Sequence, residues 1–235
     1  MTTPVDRPDP VYAALSEHKG LLARSSRSSQ TADIVRASIL DGSLRPGTRL
    51  SEPDICAALG VSRNTLREAF RSLIEERLVT HELNRGAFVR IPSSEDVAEL
   101  YRCRRIVEGA AVHGFDRATQ DPTELAAALA RADACAAKQD WTGVGTADID
   151  FHKAIAALNG SRRLDQMMSS VWNELRLVFH VMADPLAFHE PYLARNHEIY
   201  EALVAGRRAE AEQMLADYLT DAESHIGAAY VSVVA

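Results

Sequence analysis

The sequence predicts a mainly α-helical protein, in which an N-terminal winged helix-turn-helix is joined to a C-terminal antiparallel all-α bundle of about six helices. Apolar residues recur at helical spacing along most of the chain. Strand-like runs occur only in a short stretch after Glu76. Turn signals built from Gly, Pro, Asn and Asp separate the helical segments and indicate where each helix ends.

Length and composition fit two ordinary globular domains. The chain has 235 residues, of which 46% are hydrophobic, and this is enough apolar material for a core in each domain. No apolar run approaches the roughly 18 residues of a membrane span, and no secretory-signal pattern opens the sequence. The three cysteines are far apart, which favours buried thiols in a reducing compartment. We therefore expect a cytoplasmic protein that does not contact membranes.

The charge is unevenly distributed along the chain. The whole sequence has a net charge of −7, yet the segment from Arg24 to Arg90 holds 11 Arg and 8 acidic residues. A mildly basic segment joined to an acidic one suits a DNA-binding module attached to a domain with another role. Ordinary charge scatter would also give such a difference, so the charge alone does not decide the function.

Residues 1–28 are predicted to form an N-terminal arm. Three prolines lie among the first ten residues, and the segment ends in a Ser-rich run that begins at Arg24. The winged helix-turn-helix is assigned to residues 29–91. Its first helix begins near Thr31 and stops at Asp41-Gly42, and Pro46-Gly47 then reverses the chain. Ser51 is the expected cap of the second helix.

A third helix follows the turn at residues 60–62. Gly60 can adopt the positive φ that closes the preceding helix, and Ser62 is a good N-cap. One face is apolar, with Leu66, Ala69, Phe70 and Leu73. Arg63 and Arg67 lie one turn apart on the opposite face, so both guanidinium groups could meet guanine edges or phosphates in a major groove. A solvated helix face is the alternative interpretation.

The strand-like runs after Glu76 predict a wing. They flank a tight turn at Asn84-Arg85-Gly86, so Arg85 would lie at the tip and could enter the minor groove. Gly86 would let the backbone approach a phosphate. The complete set of residues that we expect to contact DNA is Arg45, Ser62, Arg63, Asn64, Thr65, Arg67, Arg85 and Gly86.

Residues 31–90 resemble the winged helix-turn-helix of the GntR family of bacterial transcription regulators. The resemblance rests on an ordered series of motifs, namely LRPGTRL at 44–50, LGVSR at 59–63, LREA at 66–69 and NRGAFV at 84–89. It implies a dimer that binds a short palindromic operator in double-stranded DNA. One stretch departs from the family pattern, because Glu52-Pro53-Asp54 stands where many members carry a DNA-contacting Arg. The operator preference is therefore not carried over.

The second half resembles the C-terminal effector-binding domain of the FadR-type branch of the same family. The matching pieces are residues 99–108, 148–152 and 199–211. The resemblance implies that residues 95–228 form an effector-binding and dimerisation domain. Helical periodicity and turn signals divide the region into segments at about 95–118, 122–138, 144–158, 161–183, 192–205 and 208–228.

Asp148 and His152 are the strongest chemical signal in this domain. They are four residues apart, so a carboxylate and an imidazole project side by side from one helix face. This spacing suits two metal ligands or two groups that grip an anion, although an ordinary surface pair has the same spacing. Family members that bind a metal add two histidines, and the corresponding positions hold Asn196 and Tyr218.

Those substitutions predict a polar pocket that binds a small-molecule effector rather than a tight transition metal. Arg104 matches an arginine that such domains direct into the pocket, where it would pair with a carboxylate of the effector. Arg176 is a second candidate for the same role. The metal alternative is a divalent ion, zinc or nickel, on Asp148 and His152 with His197.

Two classes of function follow from these observations. The first is a ligand-controlled DNA-binding regulator, most often a repressor in this family, and the second is a metal-dependent hydrolase in which Asp148 and His152 serve a bound water. The winged module and the incomplete ligand set favour the regulator. We also find no nucleophile-elbow, phosphate-loop or dinucleotide motif. The sequence therefore predicts a regulator and not an enzyme.

Overall fold

A computed structural model of the chain describes residues 19–182 and 184–233. Its elements, in chain order, are α1 (Lys19–Leu40), β1 (Arg49–Leu50), α2 (Glu52–Leu59), α3 (Arg63–Glu75), β2 (Val79–Glu82), β3 (Gly86–Val89), α4 (Ser94–His113), α5 (Thr123–Ala136), α6 (Trp141–Ala157), α7 (Arg162–Val181), α8 (Pro185–Val204) and α9 (Arg208–Val233). The predicted fold class is confirmed.

The predicted N-terminal arm lies mostly outside the described residues. Its last ten residues differ from the prediction, because α1 begins at Lys19 and runs without a break through the Ser-rich segment. Thr31 shows one way in which a polar residue is accommodated there, since its hydroxyl donates to the carbonyl of Arg27 one turn earlier. The helix begins about three turns before the start near Thr31 that the sequence indicated.

The three short strands form one antiparallel sheet with the order β1-β3-β2. β2 and β3 form the predicted wing, with Glu82 opposite Gly86 at the tip. β1 lies in the stretch that the sequence predicted only as a turn. Arg49 and Leu50 pair with Phe88 and Ala87 of β3, so the turn at residues 46–47 returns the chain to the sheet.

The helix-turn-helix geometry follows the sequence closely. Gly60 ends α2 with a φ of 62°, and the Ser62 hydroxyl accepts from the amide of Thr65 at 3.1 Å. The predicted apolar stripe of α3 is buried against α1 and the sheet. Ser51 precedes α2 as predicted, but its side chain makes no capping bond. Pro53 has no N–H, and this removes one of the donors that a cap would bind.

The second domain is the predicted helical bundle, made by α4 to α9. Ser93 begins α4 with a capping box, in which its hydroxyl and the Asp96 carboxylate bond each other's backbone amides. The main difference is α8, which begins at Pro185 rather than near residue 192. Asp184 accepts from the amide of Ala187 and caps the helix, and Pro191 lies inside it. The predicted start followed Pro191, whereas the helix begins at the earlier Pro185.

The two domains have separate hydrophobic cores that meet at α7. Leu177 belongs to the bundle by sequence, yet it is fully buried in the core of the winged domain. Arg90, which follows β3, forms ion pairs with Glu174 on α7 and with Asp96 on α4. α7 therefore belongs to both domains and restricts how the winged domain sits on the bundle.

We predict that Leu177→Ala loosens the winged domain on the bundle. Removing a fully buried leucine costs about 2–5 kcal/mol. The matched control is Leu175→Ala, because Leu175 is equally buried but packs in the bundle core. Hydrogen exchange should then show faster exchange of residues 31–89 in Leu177→Ala than in Leu175→Ala. Equal exchange of that segment in the two variants would contradict the shared role of α7.

Candidate functional site

The winged domain presents a polar face on α3. Arg63 and Asn64 are exposed at its start, and Arg67 is exposed one turn later. Ser62 and Thr65 share a hydroxyl hydrogen bond of 2.8 Å, so these two side chains stabilise the turn in addition to facing solvent. The predicted DNA-contacting residues of α3 therefore lie together at the exposed end of one helix, where a major groove could receive them.

Glu52 restricts one of these arginines. The Nε atom of Arg67 lies 3.1 Å from a carboxylate oxygen of Glu52 on α2. This contact raises the pKa of Arg67 through the hydrogen bond and the charge of Glu52. Because the pair is exposed to solvent, it is weak and a phosphate or a guanine edge can replace the carboxylate. Glu52 belongs to the stretch that departs from the family pattern, and it thus contacts α3, the helix that is predicted to read DNA.

The wing tip carries the second group of predicted contacts. Arg85 pairs with Glu82, and its guanidinium lies 5.3 Å from the centre of the Phe88 ring. Asn84 and Gly86 adopt positive φ values of 62° and 98°, which form the tight turn. Arg45 is also exposed, but it lies on the side of the winged domain that faces the bundle, where it lines a cleft between the domains.

A buried polar cluster occupies the centre of the bundle. Four helices contribute one or two side chains each, and all are at least nine-tenths buried. The members are Arg104 and Glu108 on α4, Asp148 and His152 on α6, Asn196 on α8 and Tyr218 on α9. The sequence predicted five of these six residues, and the structure brings those five together.

Glu108 links Arg104 to His152 within the cluster. One carboxylate oxygen accepts from Nε of Arg104 at 2.8 Å, and the other accepts from Nδ1 of His152 at 2.6 Å. Burial alone would raise the pKa of Glu108, but the charges of Arg104 and His152 outweigh burial and lower it. The carboxylate is therefore ionised at neutral pH, and the chain Arg104-Glu108-His152 holds the imidazole in place.

Asp148 is the centre of the second half of the cluster. Its Oδ1 atom accepts from the Asn196 amide and from the Tyr218 hydroxyl, each at 2.7 Å, and lies 3.7 Å from Nε2 of His152. Burial opposes ionisation, but His152 and the Tyr218 hydrogen bond are among the groups that lower the pKa of Asp148. The pKa of Tyr218 is raised well above its usual value by burial and by Asp148.

Three polar atoms of this cluster are buried without a hydrogen-bond partner among the described residues. They are Nη2 of Arg104, Nε2 of His152 and Oδ1 of Asn196. Buried groups of this kind are costly unless something satisfies them. The three atoms offer a guanidinium donor, an imidazole nitrogen and an amide acceptor, and this combination suits a small polar ligand that carries both acceptor and donor groups.

The donor set does not fit a transition metal. Tyr218 would have to ionise, but its surroundings raise the pKa of the phenol. Asn196 donates its amide N–H to Asp148, and the only atom that it could offer a metal is a neutral amide oxygen, which is a weak ligand for zinc or nickel. Within residues 19–182 and 184–233, no group of three or more His, Cys, Asp and Glu side chains has the geometry to hold a metal ion.

Two predicted site residues lie elsewhere. His197 is on the surface, where its Nε2 atom is 3.0 Å from Asp133, because one residue of helix turns it about 100° away from Asn196. It therefore does not complete a metal site. Arg176 lies at the domain boundary, where it donates to the backbone carbonyls of Leu40 and Thr142. The structure therefore does not bring Arg176 together with Arg104.

Two residues of this region, Glu108 and His189, were not among the predicted site residues. Glu108 could have been found, because it lies four residues after Arg104 and the two share a helix face. His189 gave no such signal. Its ring packs between Phe179 and Phe188, with centroids 4.8 Å away from each, and it leaves no space for a side chain at Gly145. Only the fold brings α8 against α6 at this point.

Two family descriptions match the chain. Residues 27–89 match the gntR family of bacterial regulatory proteins, and residues 99–221 match the FCD domain. The chain belongs to the GntR family and carries an FCD domain. The first match covers the helix-turn-helix and wing, and the second covers every member of the buried cluster. The chain is therefore a ligand-responsive, DNA-binding transcription regulator and not an enzyme.

Individual relatives agree with this assignment. A crystal structure of a GntR transcriptional regulator from Rhodococcus sp. RHA1 is 63% identical, has a TM-score of 0.85, and covers 87% of this chain and 99% of its own. The gluconate operon transcriptional repressor of Bacillus licheniformis is 28% identical over 76% of each chain. The repressor of the same name from Bacillus subtilis is 26% identical over 87% of each chain.

The hydrolase alternative finds no support in these matches. Asp148 and His152 are held by the hydrogen bonds of the buried cluster, and the relatives named above are transcription regulators.

In the part of the chain that the structure describes, no helix is both long enough and apolar enough to cross a membrane.

We predict that acid destabilises the bundle through His189. Burial lowers the pKa of this imidazole to about 4, below its ordinary value of 6.5. The unfolded chain therefore binds more protons between these values, and stability falls as pH falls through this window. Protonation linked to His189 alone should lower the free energy of unfolding by about 2 kcal/mol between pH 7 and pH 5. Urea unfolding at the two pH values should show a smaller loss in His189→Phe. His113→Gln, at an exposed position, should retain the wild-type loss.

Proposed function

We propose that this regulator is a cytoplasmic repressor that binds a palindromic operator as a homodimer and releases it when a small hydroxylated carboxylate enters the buried cluster. The observation that carries the proposal is the set of three unpaired polar atoms around Arg104 and His152. A regulator needs a site that is incomplete without its effector, and these atoms supply one inside the ligand-binding domain.

The operator contacts are assigned to α3 and the wing. Arg63 and Arg67 would meet guanine edges or phosphates in the major groove, and Asn64 would read an adenine edge. Ser62, Thr65 and Gly86 would contact the phosphate backbone, as would Arg45, and Arg85 would reach the adjacent minor groove. One recognition helix reads only a half-site, so a palindrome requires two copies of the chain.

The chemistry of the effector follows from the unpaired atoms. Arg104 uses Nε for Glu108, so Nη2 remains to bind a carboxylate of the ligand. Nε2 of His152 and Oδ1 of Asn196 can then bond hydroxyl groups. The two gluconate operon repressors described above support this assignment, because gluconate is itself a carboxylate with several hydroxyl groups. Arg104, Asp148, His152, Asn196 and Tyr218 form this proposed effector site.

The route from effector to DNA passes through α6 and α7. α6 carries Asp148 and His152 in the cluster, and its Thr142 carbonyl accepts from Arg176 of α7. Arg176 also donates to Leu40 at the end of α1, and Leu177 packs in the core of the winged domain. A shift of α6 on effector binding would therefore move α7 and, through it, the winged domain. In a dimer this movement would change the spacing of the two α3 helices.

Native mass spectrometry tests the assembly and the cluster together. We expect a dimer and, where a molecule is retained, the mass of an organic acid. A monomer at concentrations that saturate operator DNA would contradict the dimer. Stoichiometric zinc or nickel would contradict the argument from the donor set at Asn196 and Tyr218.

We predict that Arg63→Ala weakens operator binding by about tenfold to a hundredfold, because one bidentate base contact is worth about 1–3 kcal/mol. An operator selected in vitro from random duplexes, followed by fluorescence anisotropy, would measure the effect. Arg67→Ala should also weaken binding. Arg102→Ala is the matched control, because Arg102 is similarly exposed but lies on the bundle. Equal affinity of Arg63→Ala, Arg67→Ala and wild type would remove α3 as the reading element.

We predict that Arg104→Lys keeps operator binding but loses most of the response to effector. Lysine retains the positive charge beside Glu108 but lacks the planar fork that can bond Glu108 and a ligand carboxylate at the same time. The measurement is operator release by a panel of hydroxylated monocarboxylates that includes gluconate. Tyr218→Phe provides a second variant with little change in volume. A wild-type response in Arg104→Lys would place the effector elsewhere.

A further inference from the structure

A polar cavity lies between the two domains, away from the buried cluster. It has a volume of about 380 Å³ and is open to solvent on one side. The winged domain contributes the loop after α1, and the bundle contributes α6, α7 and the start of α8. The polar side chains that face it are Asp41, Arg45, Thr142, Arg176, His180 and His189.

Arg176 is the unusual member of this cleft. It is 9% exposed, and among the residues that the structure describes no carboxylate lies within 4 Å of its guanidinium. Its two hydrogen bonds are to backbone carbonyls, at 3.0 Å to Leu40 and 3.4 Å to Thr142, and neither uses Nη2. Neutral carbonyls orient the guanidinium without balancing its charge. Burial lowers the pKa of Arg176 even though the charges of Asp150, Asp140 and Asp41 act on it from farther away, so no direct ion pair with a described residue offsets the cost of burying its charge.

The other groups around Arg176 make the cleft cationic. Arg45 is exposed at the rim and forms no ion pair with any described residue. His180 donates from Nε2 to the carbonyl of Leu40 at 3.0 Å, and burial lowers its pKa, so at neutral pH it adds no charge to the cleft. His189 is likewise uncharged at that pH. Asp41 is the one acidic side chain of the lining, and it is already bonded to the Ser43 amide.

We propose that this cleft is a second ligand site, which binds a small carboxylate or phosphate anion between Arg176 of the bundle and Arg45 of the winged domain. The anion supplies the counter-charge that Arg176 lacks. The two arginines come from different domains, so a bound anion links the domains and holds Arg45 away from operator phosphates. The site is separate from the effector cluster, because Arg104 and His152 do not line it.

The helix end at Leu40 explains how occupancy reaches the DNA-binding domain. The Leu40 carbonyl, at the end of α1, accepts from both Arg176 and His180, so two bundle side chains hold the C-terminus of that helix. An anion on Arg176 competes with this carbonyl for the guanidinium. Ligand binding therefore changes the contact that holds α1 on the bundle.

Calorimetric titration of the DNA-free full chain tests the proposal. The probes are inorganic phosphate and malonate, at an ionic strength held constant with sodium chloride. We expect saturable binding of one anion per chain by at least one probe. Binding of phosphate alone would identify a phosphorylated ligand, and binding of malonate alone would identify a carboxylate. Saturable binding of neither probe would overturn the proposal.

The variants separate this site from the effector cluster. Arg176→Gln should weaken binding of the active probe at least tenfold, and Arg45→Gln should weaken it about threefold to tenfold. Arg45 is exposed, so its variant keeps the test valid even if Arg176→Gln unfolds. Arg104→Lys should bind the probe as wild type does. Loss of binding in Arg104→Lys with retention in both cleft variants would assign the anion to the buried cluster and overturn the second site, while leaving the proposed function intact.

Discussion

The bundle depends on one buried carboxylate, Glu108, which joins Arg104 to His152. Charges in a protein interior are tolerated only when they are paired and hydrogen-bonded, and this carboxylate gives a partner to a guanidinium and an imidazole at once. Asp148 then depends on the imidazole and on donors from α8 and α9. Four helices are thereby held to one polar centre, and removal of one member would leave another buried charge unpaired.

That constraint also makes the centre of the bundle suitable for regulation. The pairing inside the cluster is incomplete, because atoms of Arg104, His152 and Asn196 have no partner among the described residues. A ligand that completes the pairing lowers the free energy of the arrangement that it binds, and it shifts the population accordingly. The same physics argues against a transition metal, since Tyr218 would have to lose the proton that it donates to Asp148, and Asn196 could offer only a neutral amide oxygen.

The boundary between the domains carries the signal because α7 belongs to both of them. Leu177 supplies apolar contact with the winged core, Glu174 supplies an ion pair to Arg90, and Arg176 supplies hydrogen bonds to the end of α1. Three successive types of interaction on one helix restrict the winged domain more than a flexible linker would. On α3 of that domain, Arg67 forms only an exposed and therefore weak ion pair with Glu52. Arg67 can leave this carboxylate and bind DNA instead.

Local features of the chain determined much of this protein from the sequence alone. The apolar stripe of α3, the cap at Ser62, and the wing turn at Asn84-Arg85-Gly86 each depend on residues within a few positions of one another. Periodicity also placed Asp148 and His152 on one face, and the family resemblance added Arg104, Asn196 and Tyr218. Short-range spacing fixes which side chains share a face, so these predictions needed no contact between distant segments.

Only the tertiary structure decided what depends on distant segments. Arg176 lies four residues after Trp172, which packs near Arg104, so the two share a face of α7. One turn further along that face α7 meets the other domain, and the guanidinium of Arg176 donates to Leu40 there. His197 failed as a ligand because one residue of helix turns its side chain from the interior to Asp133. The surroundings of His189 and the interdomain cleft could not be predicted from local sequence. The first arise where α8 packs against α6, and the second arises where the loop after α1 meets the bundle. Spacing along a helix gives the relative directions of side chains, but packing decides which direction is inward.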